Sequence, residues 1–134
     1  MKGNFSMRED FEIAKKARLN AYSPYSNYQV GAALRTKSGK IYTGCNIENC
    51  GIQASCGERT AFLKAISEGE REFESITVVG APKGVEPDQE CMPCGYCRQF
   101  MNEFVDENFK IYTINNGEEN SYTINDILPY SFKF

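Results

Sequence analysis

Two short cysteine segments carry the residue types and the spacing best suited to chemistry. Cys94 and Cys97 are separated by two residues and follow Pro93 at the predicted start of a helix. Thiolates at this spacing can share one tetrahedral metal ion, and a helix N-terminus favours the thiolate form. The second segment, Cys56-Gly57-Glu58, lies at the predicted start of another helix, 38 residues upstream of Cys94. The two helix starts therefore offer three thiolates and one carboxylate.

A zinc ion held by Cys56, Cys94 and Cys97 would leave one tetrahedral position open to water. Zinc with three protein ligands and an open position is typical of catalytic sites, because the metal lowers the pKa of its water. Glu58 is the carboxylate tied to this cluster by local sequence, and it is not needed as a ligand. It therefore suits a general acid and base that moves the proton of the water to a leaving group.

Other interpretations of the same residues stay open at this point. Cys91 precedes Cys94 and Cys97 at the same spacing, and with Cys56 it could complete a closed four-thiolate structural zinc site. A redox Cys-x-x-Cys is a weaker alternative, because the motif does not follow a strand in a thioredoxin-like order. Glu58 could be a solvated acid in the first turn of a helix, where glutamate is favoured.

Length and composition indicate a globular protein with a single domain, residues 1–134. Hydrophobic residues make up 41% and charged residues 25% of the chain, which argues against disorder. The net charge of −3 and the lack of a lysine or arginine run argue against a binder of nucleic acid or of a membrane surface. No apolar stretch approaches the roughly 18 residues of a membrane span, so no membrane partner is expected.

Histidine and cysteine usage narrows the chemistry further. The sequence has no histidine, which removes mechanisms that depend on a Ser-His, a Cys-His or an imidazole–metal arrangement. It has six cysteines and no export signal, and in a reducing compartment cysteines are metal ligands or inert thiols before they are disulfides. The predicted location is therefore cytoplasmic, and Cys45 and Cys50 are most simply core or loop thiols.

Hydrophobic periodicity and turn residues predict the elements that position these segments. Their order is α-β-β-α-β-α-β-β-α, which fits an α/β, three-layer domain with a mixed five-stranded sheet flanked by helices. The order of the strands within the sheet is left open. The predicted strands cover residues 28–36, 41–47, 75–81, 109–114 and 120–124, and the predicted helices cover 56–68, 94–106 and 124–128 after a first helix that begins near Ser6.

Nearly the whole chain resembles the cytidine deaminases, specifically the small homotetrameric form with an all-cysteine zinc site. Residues 56–61 resemble the Cys-Ala-Glu-Arg-Thr-Ala segment of that family, and residues 93–99 resemble Pro-Cys-Gly-Ala-Cys-Arg-Gln. Residues 22–33 resemble its Ser-Pro-Tyr-Ser-x-Phe-x-Val-Gly-Ala-Ala segment. Residues 44–49 resemble Gly-Cys-Asn-Ile-Glu-Asn, and residues 128–132 resemble Leu-Pro-x-x-Phe.

The resemblance implies a cytidine deaminase-like fold and a zinc-dependent hydrolase of pyrimidine salvage. The substrate would be a small pyrimidine nucleoside, cytidine or deoxycytidine, and the products would be uridine or deoxyuridine and ammonia. Zinc is the implied cofactor, with Cys56, Cys94 and Cys97 as its ligands and Glu58 as the proton shuttle. The residues implied to bind the substrate are Tyr28, Asn46, Ile47, Glu48, Gly57 and Phe132.

Four of these residues have more specific implied roles. Asn46 and Glu48 would bind the ribose hydroxyls, and Tyr28 stands where a Phe of the family packs near the substrate. Phe132 stands where a Phe reaches the site of a neighbouring subunit, so a homotetramer with shared active sites is implied. From the residues alone, Asn46 and Glu48 are the polar end of a strand, and Phe132 is a tail residue that could join a core.

Arg59 has an electrostatic argument of its own. Zinc with three thiolates carries a net negative charge, and excess thiolate charge makes zinc a poorer acid for its water. The two helix N-termini offset part of that charge, and a guanidinium that donates hydrogen bonds to sulfur would offset more. The resemblance implies this charge-compensating role for Arg59, and a solvated or ion-paired helix arginine is the alternative.

Departures from the pattern of the family concern the substrate end of the site. Gly57 replaces the usual Ala, six residues separate Asn49 from Cys56 where the family commonly has seven, and the usual Tyr of this loop is absent. Two alternative functions stay open: deamination of a bulkier cytosine nucleoside such as blasticidin S, and a noncatalytic zinc-stabilised binding domain. The run Asn46-Ile47-Glu48 favours ribose recognition over the first alternative.

Overall fold

Within residues 2–134, which the computed structural model describes, nine helices and strands follow one another in the predicted order. The helices are α1 (Lys2–Arg18), α2 (Gly57–Ser67), α3 (Gly95–Asn102) and α4 (Ile124–Ile127). The strands are β1 (Tyr28–Thr36), β2 (Ile41–Cys45), β3 (Phe73–Pro82), β4 (Lys110–Asn115) and β5 (Glu118–Tyr122). α1 begins at Lys2, before the predicted start near Ser6, and side chains are described from Glu9 onward. None of the helices in this part of the chain combines the length and the apolar character needed to cross a membrane.

The strands form one mixed sheet in the order β2-β1-β3-β4-β5, which confirms the predicted five-stranded sheet. β3 and β4 run parallel, and the other neighbouring pairs are antiparallel. A parallel pair needs a long crossover connection, and here that connection contains α3. Because Cys94 immediately precedes α3, the cysteine segment follows the carboxyl end of β3.

Helices cover both faces of the sheet, which confirms the three-layer α/β arrangement. On one face, α1 packs Phe11 against Ala33 and Val79. On the other face lie α2 and α3, and the ring centroids of Phe62 and Phe73 are 5.0 Å apart. β3 is buried along nearly all of its length, as expected for the central strand of a sheet covered on both sides.

At Gly44, the first turn of α2 lies directly against β2. A Cβ atom at Gly44 would lie 2.2 Å from the carbonyl oxygen of Gly57, a distance that no side chain can occupy. Glycine therefore leaves the room that lets the first turn of α2 rest directly on β2. This contact places Cys56 and Glu58 beside the end of β2.

β2 ends at Cys45, two residues earlier than predicted. The N–H of Asn46 still donates to the carbonyl oxygen of Val30 on β1 at 3.3 Å, but the backbone of the following residues pairs with loops. The backbones of Ile47 and Ser55 exchange two hydrogen bonds, each 2.9 Å long. The backbone of Tyr22 bonds to residues 46 and 48 in the same way. Residues 46–48 are therefore held between the loop after α1 and the loop before α2.

Candidate active site

The three cysteines of the predicted metal site lie together. The sulfur atoms of Cys56, Cys94 and Cys97 lie within 4.8 Å of one another, and 3.6 Å separates those of Cys56 and Cys94. Zinc–sulfur bonds of about 2.3 Å in a tetrahedron place neighbouring sulfurs about 3.8 Å apart. The three cysteines therefore have the donor chemistry and the spacing that one zinc ion requires.

Helix starts position this cluster. Cys56 and Cys94 are the N-cap residues of α2 and α3, and both have extended backbone. Neither side chain caps its own helix, so both sulfurs can face each other. Cys97 is the third residue of α3 and is 1% exposed. Both helices direct the positive ends of their dipoles at the cluster, which favours negative charge there.

Neighbouring groups favour a thiolate at Cys56. Hydrogen bonding with Cys97 is the largest effect, and hydrogen bonding with Cys94 and the charge of Arg59 add to it. Against the opposing effect of burial, these contacts lower the pKa of Cys56 to about 6. The deprotonated form that binds a metal is therefore populated near neutral pH.

Arg59 acts on the cluster through its charge. Its guanidinium lies over the ring of Tyr96, 4.5 Å from the ring centroid, and donates a hydrogen bond to the carbonyl oxygen of Ala54. Its Nε atom is buried and has no hydrogen-bond partner among residues 9–134. Among residues 9–134, Arg59 donates no hydrogen bond to a sulfur of the cluster, so it compensates charge from a distance: its positive charge lowers the pKa of Cys56.

Glu58 is a buried carboxyl beside the cluster. It is the second residue of α2, is 3% exposed and lines a cavity of about 380 Å³. Burial is the main effect that raises the pKa of Glu58 to about 7, and the charge of Cys56 acts in the same direction. A carboxyl that titrates near neutrality can both accept and release a proton, as a general acid and base must.

The cavity joins the cysteine cluster to the predicted substrate residues. Its volume lies in the range of small-molecule sites, about 300–1,000 Å³. Seven predicted site residues line it: Tyr28, Asn46, Glu48, Cys56, Gly57, Glu58 and Cys94. Four others do not: Cys97 completes the sulfur cluster, Ile47 pairs with Ser55 through its backbone, Arg59 stacks on Tyr96, and Phe132 is 67% exposed.

Five residues without a predicted role in substrate binding also line the cavity: Val30, Ala54, Ser55, Cys91 and Met92. Val30 carries a usable signal, because it lies two positions after Tyr28 on β1 and side chains two apart share a face. Cys91 and Met92 belong to an irregular loop, where no period determines the direction of a side chain. Cys91 is not part of the three-sulfur cluster formed by the described cysteines.

Glu48 is a charged group held by the turn that precedes β1. Its Oε1 accepts hydrogen bonds from the backbone N–H groups of Tyr25 and Ser26, at 3.0 and 3.2 Å, and its Oε2 accepts one from the Ser26 hydroxyl. The hydroxyl first, and then the two backbone donors, hold the pKa of Glu48 below its usual range. A carboxylate has about four acceptor positions, so Glu48 retains one for a ligand hydroxyl.

Asn46 ties the residues after β2 to β1 and keeps part of its polar capacity. Its Oδ1 accepts a hydrogen bond from the N–H of Val30 at 2.8 Å, and its Nδ2 donates to the carbonyl oxygen of Tyr28 at 2.9 Å. A side-chain amide has two donor and two acceptor positions. One of each therefore remains for a ligand, while the bonds to β1 hold the amide in place.

Comparisons with known proteins extend beyond the site to most of the chain. The family model for the cytidine and deoxycytidylate deaminase zinc-binding region matches residues 6–113. The cytidine deaminase of Sporosarcina psychrophila is 44% identical over 121 residues, which cover 89% of this chain and 85% of that protein. The blasticidin-S deaminase of Bacillus cereus is 30% identical over 131 residues, 93% of each protein.

The fold is also similar to that of a solved structure. The crystal structure of cytidine deaminase from Burkholderia pseudomallei matches with a TM-score of 0.84 and 40% identity, over 93% of this chain and 98% of that one. Agreement in sequence and in fold over most of the chain, including the region with the cysteine cluster, shows that this protein belongs to the cytidine and deoxycytidylate deaminase family, whose common region binds zinc.

Proposed function

We propose that this protein catalyses the zinc-dependent hydrolysis of cytidine and deoxycytidine to uridine and deoxyuridine, with release of ammonia. The observation that carries the proposal is the three-sulfur cluster at the edge of a cavity that also contains the buried carboxyl of Glu58. The names of the relatives support it, since two of the three proteins described above are cytidine deaminases. In this proposal, residues 1–134 work as one cytidine deaminase-like domain.

Cys56, Cys94 and Cys97 are the zinc ligands in this proposal. Zinc bound there supplies a Lewis acid that makes water a nucleophile near neutral pH. The charge of Arg59 and the two helix N-termini offset the negative charge of the thiolates. The remaining tasks of the chain are to bind the nucleoside, to hold its base beside the cluster and to move protons.

Glu58 moves the protons. Its carboxylate accepts a proton from the water that attacks C4 of the cytosine ring, and it passes this proton to N3. It then takes the proton of the new C4 hydroxyl and delivers it to the amine, so ammonia leaves as the C4 carbonyl forms. One water is consumed, one ammonia is released, and the carboxylate returns to its first state. A pKa of about 7 suits Glu58 to both directions of transfer.

Asn46 and Glu48 bind the sugar, and Tyr28 and Gly57 lie against the base. The one donor and one acceptor left on Asn46, and the one acceptor left on Glu48, complement ribose hydroxyls, which both donate and accept. Ile47 contributes through its backbone, because its hydrogen bonds to the next loop keep Asn46 and Glu48 at the edge of the cavity.

Assays of ammonia release from cytidine, deoxycytidine and blasticidin S test this function. We expect one ammonia per cytidine or deoxycytidine, with a kcat/KM at least about tenfold above that for blasticidin S, because binding groups built for one substrate are left unmatched by another. Turnover of blasticidin S alone would replace the proposed substrate by a bulkier cytosine nucleoside. No ammonia from any of the three by the zinc-loaded protein would indicate a noncatalytic zinc-stabilised domain.

We also infer a homotetramer whose active sites are shared between subunits. The ring of Phe132 is 67% exposed and contacts the ring of Phe134, with 5.2 Å between centroids. The carbonyl oxygen of Phe132 accepts hydrogen bonds from the side chains of Gln99 at 3.0 Å and Asn102 at 3.4 Å. The tail is therefore fastened to α3 while the ring stays exposed, which suits insertion into a neighbouring subunit.

Phe132→Ala should raise KM more than it lowers the stability of a single chain. An exposed ring stabilises its own chain little, whereas full burial of a Phe in a neighbour contributes about 1.5–3 kcal/mol, or roughly a tenfold or larger rise in KM when lost. Steady-state kinetics and urea unfolding measure the two effects, with Leu19→Ala, another exposed apolar side chain, as the matched control. A fully active monomer of 15.1 kDa in light scattering would contradict the shared site.

The state of the cysteines bears on where the protein works. None of the six cysteines, all of which lie in the described part of the chain, forms a disulfide. Because disulfides form and persist in oxidising compartments, free thiols favour a reducing one. We therefore propose a cytoplasmic location.

A further inference from the structure

One wall of the cavity is formed by a loop without a helix or a strand. This loop, residues 83–94, joins β3 to α3. Cys91 and Met92 from the loop line the cavity, and Cys94 at its end belongs to the sulfur cluster. A segment without its own secondary structure keeps one position only if other contacts hold it.

Glu90 fastens this loop to the hairpin of β4 and β5. Its Oε2 accepts hydrogen bonds from the hydroxyls of Thr113 on β4 and Tyr122 on β5, both at 2.6 Å, and from the side-chain amide of Asn120 at 3.5 Å. The bond from Thr113 is the largest effect that holds the pKa of Glu90 below its usual range. Three side chains of the hairpin thus converge on one charged oxygen, and hydrogen bonds to a charged acceptor are stronger than neutral ones.

Two further contacts beside Glu90 also join the loop to the hairpin. The N–H of Asn116, in the turn of the hairpin, donates to the carbonyl oxygen of Asp88 at 2.6 Å. The side chain of Gln89 donates to that of Asn116 at 3.4 Å. The loop therefore contacts the hairpin at three consecutive residues, of which Glu90 makes the most bonds.

The position of Glu90 is transmitted to the cavity by its neighbour Cys91. A Cβ atom at Gly80 of β3 would lie 2.7 Å from the sulfur of Cys91 and 2.9 Å from Cε2 of Tyr28. Cys91 and Tyr28 therefore both pack directly on the backbone of β3, side by side. A shift of the loop would move Cys91 against Tyr28 and change the shape of the cavity.

We propose that Glu90 is a positioning residue, which holds Cys91 and Met92 in the cavity wall and Cys94 in the sulfur cluster by fastening their loop to the β4–β5 hairpin. Glu90 itself does not line the cavity, so it has no part in the chemistry of Glu58. Its effect on turnover rests on the proposed function, whereas its effect on the sulfur cluster does not.

Glu90→Ala and Tyr122→Phe test this role from the two sides of the contact. We expect Glu90→Ala to raise the KM for cytidine and to speed the transfer of zinc to a chromogenic chelator, each by about tenfold, because lost support of a ligand typically costs 10–100-fold. Tyr122→Phe should also raise KM and the rate of zinc transfer, but by a smaller factor. The double variant should match Glu90→Ala, since the two changes remove the same bond. Thr113→Ser keeps the hydroxyl, so it should match the wild type in KM and in the rate of zinc transfer.

Asp106→Ala is the matched control. Its carboxylate also accepts hydrogen bonds from a side chain and a backbone N–H, those of Lys37 at 3.2 Å and Asn108 at 2.9 Å, but it lies outside the loop. Asp106→Ala should lower the free energy of unfolding without changing KM or the rate of zinc transfer.

The two measurements separate failure of this inference from failure of the proposed function. If Glu90→Ala and Tyr122→Phe lower stability as Asp106→Ala does but leave KM and zinc transfer at wild-type values, Glu90 is merely structural. If the wild type releases no ammonia from any nucleoside, the proposed function fails, and zinc transfer alone decides whether Glu90 holds the loop. If Glu90→Ala does not fold, the milder Tyr122→Phe gives the same readouts.

Discussion

Glu58→Gln should lose nearly all turnover while its zinc stays bound. The amide of glutamine cannot carry a proton between water, N3 and the departing amine, and general acid–base catalysis contributes about 10²–10⁴-fold to a rate. We expect kcat to fall by a factor in that range. The metal should remain because the cysteine cluster supplies three ligands without Glu58. Ammonia release and metal analysis of the same sample measure the two outcomes.

Glu58→Gln should not lower the stability of the fold. Glutamine has nearly the shape of glutamate, and burial opposes ionisation of Glu58, so removal of the charge should not lower the midpoint of thermal unfolding. Glu12→Gln on α1, where the side chain is 77% exposed, is the matched control and should keep wild-type kcat. Wild-type turnover by zinc-loaded Glu58→Gln would show that another group carries the protons.

Local sequence patterns predict the order of the elements and group the cysteines of the sulfur cluster, although they leave Cys91 as an alternative ligand. Cys94 and Cys97 lie on one turn at a helix start, where the geometry of the helix itself brings their sulfurs near each other. Cys56 is the N-cap of its helix, as the pattern around it predicts. What local patterns leave open is how the two helix starts meet. That depends on the close approach at Gly44 and on the crossover from β3 to β4.

Contacts between distant irregular segments are beyond such patterns. The partners of Glu90 lie 23 to 32 residues away on a hairpin, and no periodicity relates a loop to them. Asn46 and Glu48 would be the polar end of a strand without the family resemblance, whereas the structure places them beside loops before β1 and α2. For Ile47, the family resemblance implies a place in the site. In the structure, Ile47 does not line the cavity and instead pairs with Ser55 through its backbone.

Cys94→Ser should lose both zinc and activity. The sulfur of Cys94 lies 3.6 Å from that of Cys56, and a serine hydroxyl is a much poorer zinc ligand than a thiolate. Loss of a group that merely supports a ligand lowers metal affinity by about 10–100-fold. Loss of the ligand Cys94 itself should lower the zinc affinity by more than that. After dialysis against buffer, metal analysis and ammonia release should both approach background. Retention of one zinc per chain would show that Cys94 is not a ligand.

Cys91→Ser should keep both zinc and activity, although Cys91 lies only three residues before Cys94. Cys91 is outside the three-sulfur cluster, so the metal site does not need its thiol. Serine preserves a small polar side chain beside Tyr28, so the cavity wall should also keep its shape. Loss of zinc in Cys91→Ser, or a Cys91 sulfur about 2.3 Å from zinc in a crystal structure, would indicate a closed four-thiolate site. Such a site has no position for water, and the proposed hydrolysis could not take place there.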